Sequence, residues 1–423
     1  MSLLAFDEAL RRLLDRAEPV AEIENVPTEA ALGRVLARAQ ISAIAVPAND
    51  NSSMDGYAVR CADVPVAGTR LTVGQRIPAG SVGHTLASGT AARIFTGAPV
   101  PPGADAIVMQ EMCEHVPGGE LGSEVGSVIV NHVPKSGEWI RRAGEDIARG
   151  AQVLAAGTRL TAPQLGLAAS IGLGELPVFR RLRVGLLSTG DELVMPGTLA
   201  PEALSPGAIF NSNRFLLLGL LEQLGCEVRD LGAIPDDLGA TRAALRMAAS
   251  ACDLILSSGG VSVGEEDHVK AAVQAEGALD LWKIAIKPGK PLAFGHVRRE
   301  GASEGRGGQA AFIGLPGNPV ASFVTFAMLV RPFILKAQGA ASGGNVPRVL
   351  AVPAAFDWPK ADARREFLRV RLDANGALEL YPNQSSGVLT SVDWADGLVD
   401  NPPGNPIRRG DTVRFLPFAE LLN

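Results

Sequence analysis

A chain of 423 residues is too long for one hydrophobic core and predicts two to four domains. Its 47% hydrophobic and 20% charged residues are typical of a globular protein, and its net charge of -6 argues against non-specific nucleic-acid binding, which needs a basic surface. The four cysteines are too widely spaced to suggest a zinc site or a disulfide framework. Neither a signal peptide nor a membrane span is indicated, so we expect a cytoplasmic protein.

The N-terminal part of the chain changes character twice. Apolar residues at helical spacing predict an amphipathic helix over residues 3–16, and Thr28 is a candidate cap for a second helix over Glu29–Ala39. Residues 45–146 are rich in Gly, Pro and short Val/Ile runs, which predicts an irregular β domain. A helix returns after Thr161. We therefore infer that the β domain 45–146 is inserted into a helical, discontinuous domain formed by residues 1–44 and 147–180.

Residues 181–339 show a regular alternation of strands and helices. The segments RVGLLST, CEVRDLGAI, DLILSS and AAFIGL read as strands, and helices are predicted over 211–224, 239–251 and 319–338. This order predicts a parallel sheet covered on both faces, which is a three-layer α/β domain. Residues 340–423 return to strand patterns, with Asn375-Gly376 as a type I′ hairpin turn, and predict a C-terminal β barrel or sandwich.

Acidic and glycine-rich clusters follow three successive strands of the predicted sheet. They are Ser188–Glu192, Pro235–Asp237 and Ser257–Asp267. One such cluster alone is more often a plain turn, but all three should meet at one edge if the strands are parallel. Glycines there allow backbone N–H groups to surround an oxyanion, and carboxylates beside a phosphate site usually hold Mg²⁺. The predicted metal ligands are Glu192, Asp236 and Asp267.

A basic stretch follows these clusters closely. Lys283 and Lys287 lie on one side if the stretch is extended, and Lys290 follows a Pro-Gly turn. A solvated charged strand is the simpler interpretation, but the rigid Pro-Gly context favours binding of phosphate or another oxyanion. The segment GLPGNP, with Pro316 and Pro319, then opens a helix whose N-terminus attracts anions.

Together these residues resemble the MoeA family of molybdopterin molybdenumtransferases, whose eukaryotic counterpart is the E domain of gephyrin-like proteins. The matching stretches run over most of the chain: NSSMDGYAVR, RIFTGAPVPPGADAIV, GEDIARG, STGDEL, SSGGVSVGEEDHVK, KIAIKPGKPLAFG and GLPGNPVASF. The resemblance is weaker in the C-terminal domain, where only REFLRVRL and QSSGVLTSV match.

The resemblance implies an elongated homodimer whose α/β domain is similar to the MoaB and Mog proteins. It also implies that adenylylated molybdopterin and molybdate, the co-substrate, give molybdenum cofactor and AMP with Mg²⁺. The upstream adenylyltransferase and recipient molybdoenzymes are candidate partners. Among the implied site residues, Asp55 and Thr96 face the site across the dimer, and Asp146 lies near it. Glu192, Asp236 and Asp267 are the implied acids, and Lys283 and Lys287 the implied binders of molybdate or phosphate. The last domain would contribute Ser386 and Arg365. Further candidates for substrate binding are Ser258, Gly259, Gly260, Lys290, Pro316 and Pro319.

Two other functions remain open at this point. A molybdopterin adenylyltransferase shares the SGG loop, but the additional N-terminal domains argue against it. A non-catalytic scaffold should have lost its carboxylates, whereas Asp55, Glu192, Asp236 and Asp267 are all present.

Overall fold

The structure is a computed structural model that describes residues 3–118, 126–260, 268–301, 308–341 and 347–422. The chain divides into two compact units. The larger comprises Met1–Arg38, Ala156–Thr161 and Leu176–Asn423, and the smaller comprises Ala39–Ala155 and Ala162–Glu175. The four-domain division of the sequence analysis is finer than this, and its boundaries stay a prediction.

The larger unit begins with helix α1 (Phe6–Leu14), which buries Phe6, Ala9 and Leu13, and strand β1 (Ile23–Pro27). The helix expected over Glu29–Ala39 is wrong, because only a 3-10 turn forms, at Thr28–Ala30. The backbone beyond it turns and forms isolated bridges to other segments instead, as Leu36 N donates to Thr158 O at 2.9 Å. Burial of this segment among its neighbours outweighs its local helical pattern.

The smaller unit is built around a six-stranded sheet. The order is β7-β4-β6-β5-β9-β8, and every neighbouring pair is antiparallel except β5 with β6. This sheet confirms the β-rich fold that was predicted for the inserted segment. The elements of this unit are β2 (Gln40–Ile41), β3 (Asn51–Ser52), β4 (Gly56–Val59), β5 (Thr69–Ile77), β6 (Thr90–Ile94), β7 (Ala106–Met109), β8 (Cys113–Val116), β9 (Ser127–Val130), β10 (Ile140–Arg141), β11 (Gln152–Leu154) and helix α2 (Ala162–Ser170).

Within the larger unit, the α/β part follows strand β12 (Glu175–Phe179), which pairs with β1. Its elements are β13 (Arg183–Thr189), β14 (Leu193–Val194), β15 (Ile209–Phe210), α3 (Ser212–Gln223), β16 (Glu227–Ile234), α4 (Leu238–Ala251), β17 (Leu254–Ser258), α5 (His268–Glu276), β18 (Gly277–Lys283), β19 (Ile286–Lys287), β20 (Pro291–Arg298), β21 (Gln309–Leu315), α6 (Pro319–Thr325), a π-helical turn (Phe326–Val330) and α7 (Arg331–Ala337).

The main sheet has the order β16-β13-β17-β21-β20-β18, and its first four strands are parallel. Separate buried clusters cover its two faces, one involving α3 and α6 and the other α4 and α5, so the three-layer α/β prediction is confirmed. The expectation of a wholly parallel sheet is wrong for β20, which is antiparallel to both neighbours. The links flanking β20 are shorter than the dozen residues that a parallel crossover needs.

The long helix Pro319–Ala337 is apolar enough to cross a membrane by length and composition, but 89% of its most apolar window is buried inside the fold. It buries Phe323, Phe326 and Phe333 in the same core as α1 and α3. Such burial is that of a core helix, since a membrane span would present its apolar side chains to lipid.

The C-terminal sheet has the order β19-β23-β25-β26-β22, with β24 paired to β23. Its elements are β22 (Leu350–Pro353), β23 (Arg365–Leu372), β24 (Leu378–Leu380), α8 (Thr390–Trp394), β25 (Gly397–Asn401), β26 (Thr412–Pro417) and α9 (Phe418–Leu421). The hairpin turn occurs where it was predicted, but the type I′ assignment is wrong. That type needs positive φ at both central residues, and Gly376 has φ +77° whereas Asn375 does not have a positive φ.

Candidate functional site

A cavity of about 700 Å³ lies beyond the carboxyl ends of the four parallel strands β13, β16, β17 and β21. This is where ligands bind in open α/β sheets. The C-terminal sheet supplies the rest of the wall through Arg364 and the segment 384–386. The predicted site residues on the wall are Glu192, Asp236, Gly259, Gly260, Lys287, Lys290, Pro316 and Ser386.

Two acidic side chains reach this cavity from adjacent strands. Glu192 follows β13 and Asp236 follows β16. The two loops are tied together by reciprocal backbone-to-carboxylate bonds, with Asp236 N donating to Asp191 Oδ1 at 3.1 Å and Asp191 N to Asp236 Oδ2 at 3.4 Å. The next residue, Asp237, caps helix α4 by accepting from Ala240 N at 2.7 Å. Asp237 is therefore a structural cap, whereas Glu192 and Asp236 face the cavity.

The glycines after β17 are required by their surroundings. Gly260 has φ +68°, and a Cβ there would lie 2.4 Å from Val269 Cγ2; Gly259 has φ +90°. No larger residue fits the turn without displacing helix α5. The remainder of this loop, 261–267, lies outside the described residues, and with it the predicted metal ligand Asp267.

Asn213 joins two loops that line the cavity. It lies on α3 with 8% of its surface exposed, and its Nδ2 donates to Ser258 Oγ at 3.0 Å and to Gly317 O at 2.7 Å. Ser258 is thus buried behind the wall and does not line it, and Pro319 serves as the first residue of α6. Sequence reasoning missed Asn213, because an Asn near a helix start reads as a cap.

Lys287, Lys290 and Arg364 form the basic part of the wall. Lys287 Nζ lies 3.2 Å from Glu366 Oε1 and 3.4 Å from Asp362 Oδ2. Asp362 is also bound by Arg364 through two side-chain bonds of 2.8 and 2.9 Å. Arg364 is the main reason that the pKa of Asp362 is well below its usual range, so this carboxylate remains charged at any physiological pH.

Two predicted basic residues point away from the cavity. Lys283 is exposed at the end of β18, opposite Pro291, and is not among the lining residues, because the chain does not continue as one extended strand from 283 to 287. Arg365 instead binds Asp400 at 2.5 and 2.7 Å. Its neighbour Arg364 takes the cavity position, as successive strand residues face opposite sides.

His268 also lies on the cavity wall, at the start of α5. The five histidines of the sequence show no metal-ligand spacing, so the sequence does not mark His268 as a site residue.

In the smaller unit, Asp55 and Thr96 form a compact pair. Asp55 Oδ1 accepts from Thr96 N and from Thr96 Oγ1, each at 2.7 Å. The backbone bond and then the hydroxyl bond lower the pKa of Asp55, with a smaller contribution from Arg93. The pair therefore presents a fixed, ionised carboxylate. Asp146 is exposed, and its backbone N donates to Val46 O at 3.1 Å.

No group of three or more His, Cys, Asp or Glu side chains within the described residues is arranged to hold a metal ion. Glu192 and Asp236 nevertheless face the same cavity. Two carboxylates suit Mg²⁺, which usually binds proteins through one or two carboxylates together with substrate phosphates. The donors present are therefore compatible with Mg²⁺ that is carried partly by a phosphorylated ligand.

This fold defines a class of multidomain α/β proteins with a cavity at the strand ends of a three-layer domain. Three family models match in chain order: the MoeA N-terminal region (domain I and II) over residues 4–172, a probable molybdopterin binding domain over 185–336, and the MoeA C-terminal region (domain IV) over 351–418. The chain belongs to the MoeA family.

Known proteins agree with this assignment over most of their length. A molybdopterin molybdenumtransferase of Haemophilus influenzae is 38% identical over 99% of this chain and 100% of its own. One from Synechococcus elongatus is 36% identical over 92% of this chain and 93% of its own. The crystal structure of the molybdopterin biosynthesis MoeA protein from Pyrococcus horikoshii has a TM-score of 0.81 at 28% identity, covering 98% of this chain and 100% of that one.

Proposed function

We propose that this chain is a transferase that inserts molybdenum into molybdopterin, using molybdate and adenylylated molybdopterin and releasing AMP. The observation that carries the proposal is the cavity of about 700 Å³ that joins Glu192 and Asp236 to Lys287, Lys290 and Arg364. The substrate is phosphorylated and the co-substrate is an oxyanion, so a site of this kind needs both cations and a metal-binding edge. The curated relatives that cover most of the chain are named molybdopterin molybdenumtransferase.

In this mechanism the residues of the chain mainly bind and orient. Lys287, Lys290 and Arg364 attract the phosphates and molybdate, and the backbone N–H groups around Gly259 and Gly260 surround an oxyanion. Glu192 and Asp236, with Asp267, would hold Mg²⁺, which neutralises charge developing on the phosphates when it is bound. Asp55 and Thr96 supply a fixed carboxylate and hydroxyl from the second subunit of a homodimer.

We further propose that the protein works in the cytoplasm. All four cysteines are free, and burial raises the pKa of the Cys61 and Cys113 thiols to about 11 and that of Cys226 to about 12. Such thiols are protonated and unreactive at neutral pH. The upstream adenylyltransferase and the recipient molybdoenzymes remain the proposed partners.

The test is an assay with purified adenylylated molybdopterin. AMP release and cofactor formation should both require molybdate and Mg²⁺, and chelation by EDTA should abolish them. Asp236→Asn should raise the Mg²⁺ concentration needed for half-maximal activity, because one metal ligand is weakened. Pyrophosphate release from ATP would instead identify an adenylyltransferase. Capture of molybdoenzymes without cofactor formation would identify a scaffold.

A further inference from the structure

A buried carboxylate stands directly behind the basic wall of the cavity. Glu366 is on strand β23 with 0% of its surface exposed, although it carries an ionisable group. Burying a charged carboxylate is costly unless it is paired and hydrogen-bonded. The hydrogen-bond donors around Glu366 should therefore indicate which side chain this carboxylate stabilises.

Four donors from different parts of the larger unit converge on Glu366. Oε1 accepts from Lys287 Nζ at 3.2 Å. Oε2 accepts from Trp358 Nε1 at 2.8 Å, from Asp362 N at 3.2 Å and from Asn401 Nδ2 at 3.3 Å. One oxygen thus faces the cavity lysine, and the other fixes the loop that leads to Arg364.

Backbone pairing enforces the same contact. Strand β19 pairs in parallel with β23, in a register that sets Lys287 opposite Glu366. Arg365 N also donates to Ala285 O at 2.9 Å, next to this short ladder. Lys287 thus belongs to a short strand that joins the α/β part of the chain to the C-terminal sheet, and its side chain, 39% exposed, lines the cavity.

The Trp358 indole and Asp362 complete the arrangement. Lys287 Nζ lies 5.9 Å from the centre of the Trp358 ring, and Asp362 contacts both Lys287 and Arg364. Two acids thus support two cations, and only the cations line the cavity. Support of this kind fixes the direction of a flexible lysine before an anion arrives, which reduces the entropy lost on binding.

We propose that Glu366 is a positioning residue that holds Lys287 in the orientation that binds the oxyanion of the substrate. The inference rests on the proposed function for the identity of that anion. Glu366 acts through Lys287 and does not touch the ligand.

The test is a double-mutant cycle on ligand affinity and on turnover. We expect Glu366→Gln to weaken binding of AMP plus molybdate, measured by calorimetry, and to lower kcat/KM by roughly tenfold to a hundredfold. In a Lys287→Met background the same change should have an effect of less than about twofold, because the group that it positions is gone. Equal effects in both backgrounds would mean that Glu366 is only structural and would overturn the proposal.

Asp400→Asn is the matched control. Asp400 is also a buried carboxylate of this sheet, with 2% exposure, but its partners Arg365 and Arg414 do not line the cavity. Its loss should lower the melting temperature and leave the AMP affinity within about twofold of wild type. An affinity loss equal to that of Glu366→Gln would attribute both effects to general destabilisation and overturn the proposal.

Trp358→Phe covers the case in which Glu366→Gln does not fold. It removes only the indole donor to Oε2, and it should reduce AMP affinity in the wild-type background but not in the Lys287→Met background.

The proposed function is tested separately. If the double-mutant cycle shows coupling between Glu366 and Lys287 in AMP binding but the wild-type protein never inserts molybdenum, the proposed function fails and the positioning role of Glu366 stands.

Discussion

At the scale of single residues, two of the acidic groups proposed for the site are held in different ways. Asp55 is fixed by two bonds from one neighbour, Thr96, whereas the Asp236 carboxylate accepts a bond from the backbone N of Asp191 in the facing loop. The bonds from Thr96 lower the pKa of Asp55, since hydrogen bonds to the charged form of a carboxyl group favour that form. This difference can be tested directly.

Thr96→Val removes the hydroxyl donor and keeps the backbone donor to Asp55. The pKa of Asp55, lowered in the native protein, should rise toward its ordinary value in the variant. The stabilisation that the hydroxyl bond provides is present above the unfolded pKa of Asp55 and is lost as the pH falls through its folded pKa. Titration of the Asp55 carboxyl carbon by NMR measures the change, and the acid limb of the activity profile should move to higher pH.

Ser53→Ala is the control for this measurement. Its hydroxyl donates to Trp139 O at 2.9 Å and does not contact Asp55. The pKa of Asp55 should be unchanged in it. A shift as large as that in Thr96→Val would show that the loop as a whole, rather than the Thr96 hydroxyl, sets the protonation of Asp55.

Helix α3 offers a pair of asparagines with separate roles. Asn211 caps the helix by accepting from Arg214 N at 3.2 Å, and Asn213 joins the loops at Ser258 and Gly317. We expect Asn211→Ala to cost about 1 kcal/mol of stability with unchanged AMP affinity. Asn213→Ala should cost about 1–3 kcal/mol and weaken AMP binding as well. Chemical denaturation and calorimetry separate the two effects, and equal AMP affinities would contradict the loop-joining role.

At the scale of elements, the glycine turn after β17 sets the position of helix α5. Gly260→Ala would place a methyl group 2.4 Å from Val269 Cγ2 at φ +68°. It should destabilise the protein by more than about 1 kcal/mol and reduce AMP affinity. Gly219, in the middle of α3, has open space around it. Gly219→Ala should instead stabilise the protein by roughly 0.5–1 kcal/mol. Thermal unfolding measures both, and a tolerated Gly260→Ala would show that the turn can relax.

Element boundaries were predictable where local and tertiary requirements agree. The strands after Arg183 and the helix after Asn211 were found from apolar periodicity and a capping residue. The segment Glu29–Ala39 was not, because its helical pattern yields to backbone bonding with 158–160 and Pro177. Strand β25 was also missed, since it buries Asp400 and Asn401, and its partners come from distant residues.

At the scale of the whole molecule, the proposed homodimer makes a site from two chains. At limiting Mg²⁺, Asp55→Asn and Asp236→Asn should each have little activity as pure proteins. Mixing the two after dissociation and reassociation should restore part of the activity, because one of the two sites in a mixed dimer then contains both native acids. Turnover of the mixture and its mass by light scattering are the measurements. An inactive mixture that contains verified mixed dimers would show that each site is formed within one chain.

The sequence by itself determined the α/β class, and it predicted the strand-end position of the cavity and most of the charged residues on its wall. These follow from local information, because strands, caps and glycine turns are encoded by neighbouring residues. Only the tertiary structure decided which cations reach the cavity. It selected Arg364 over Arg365, separated Lys283 from Lys287, and placed buried Glu366 behind Lys287. Those choices depend on the pairing register between β19 and β23, which joins residues about eighty positions apart and is set by the packing of whole sheets.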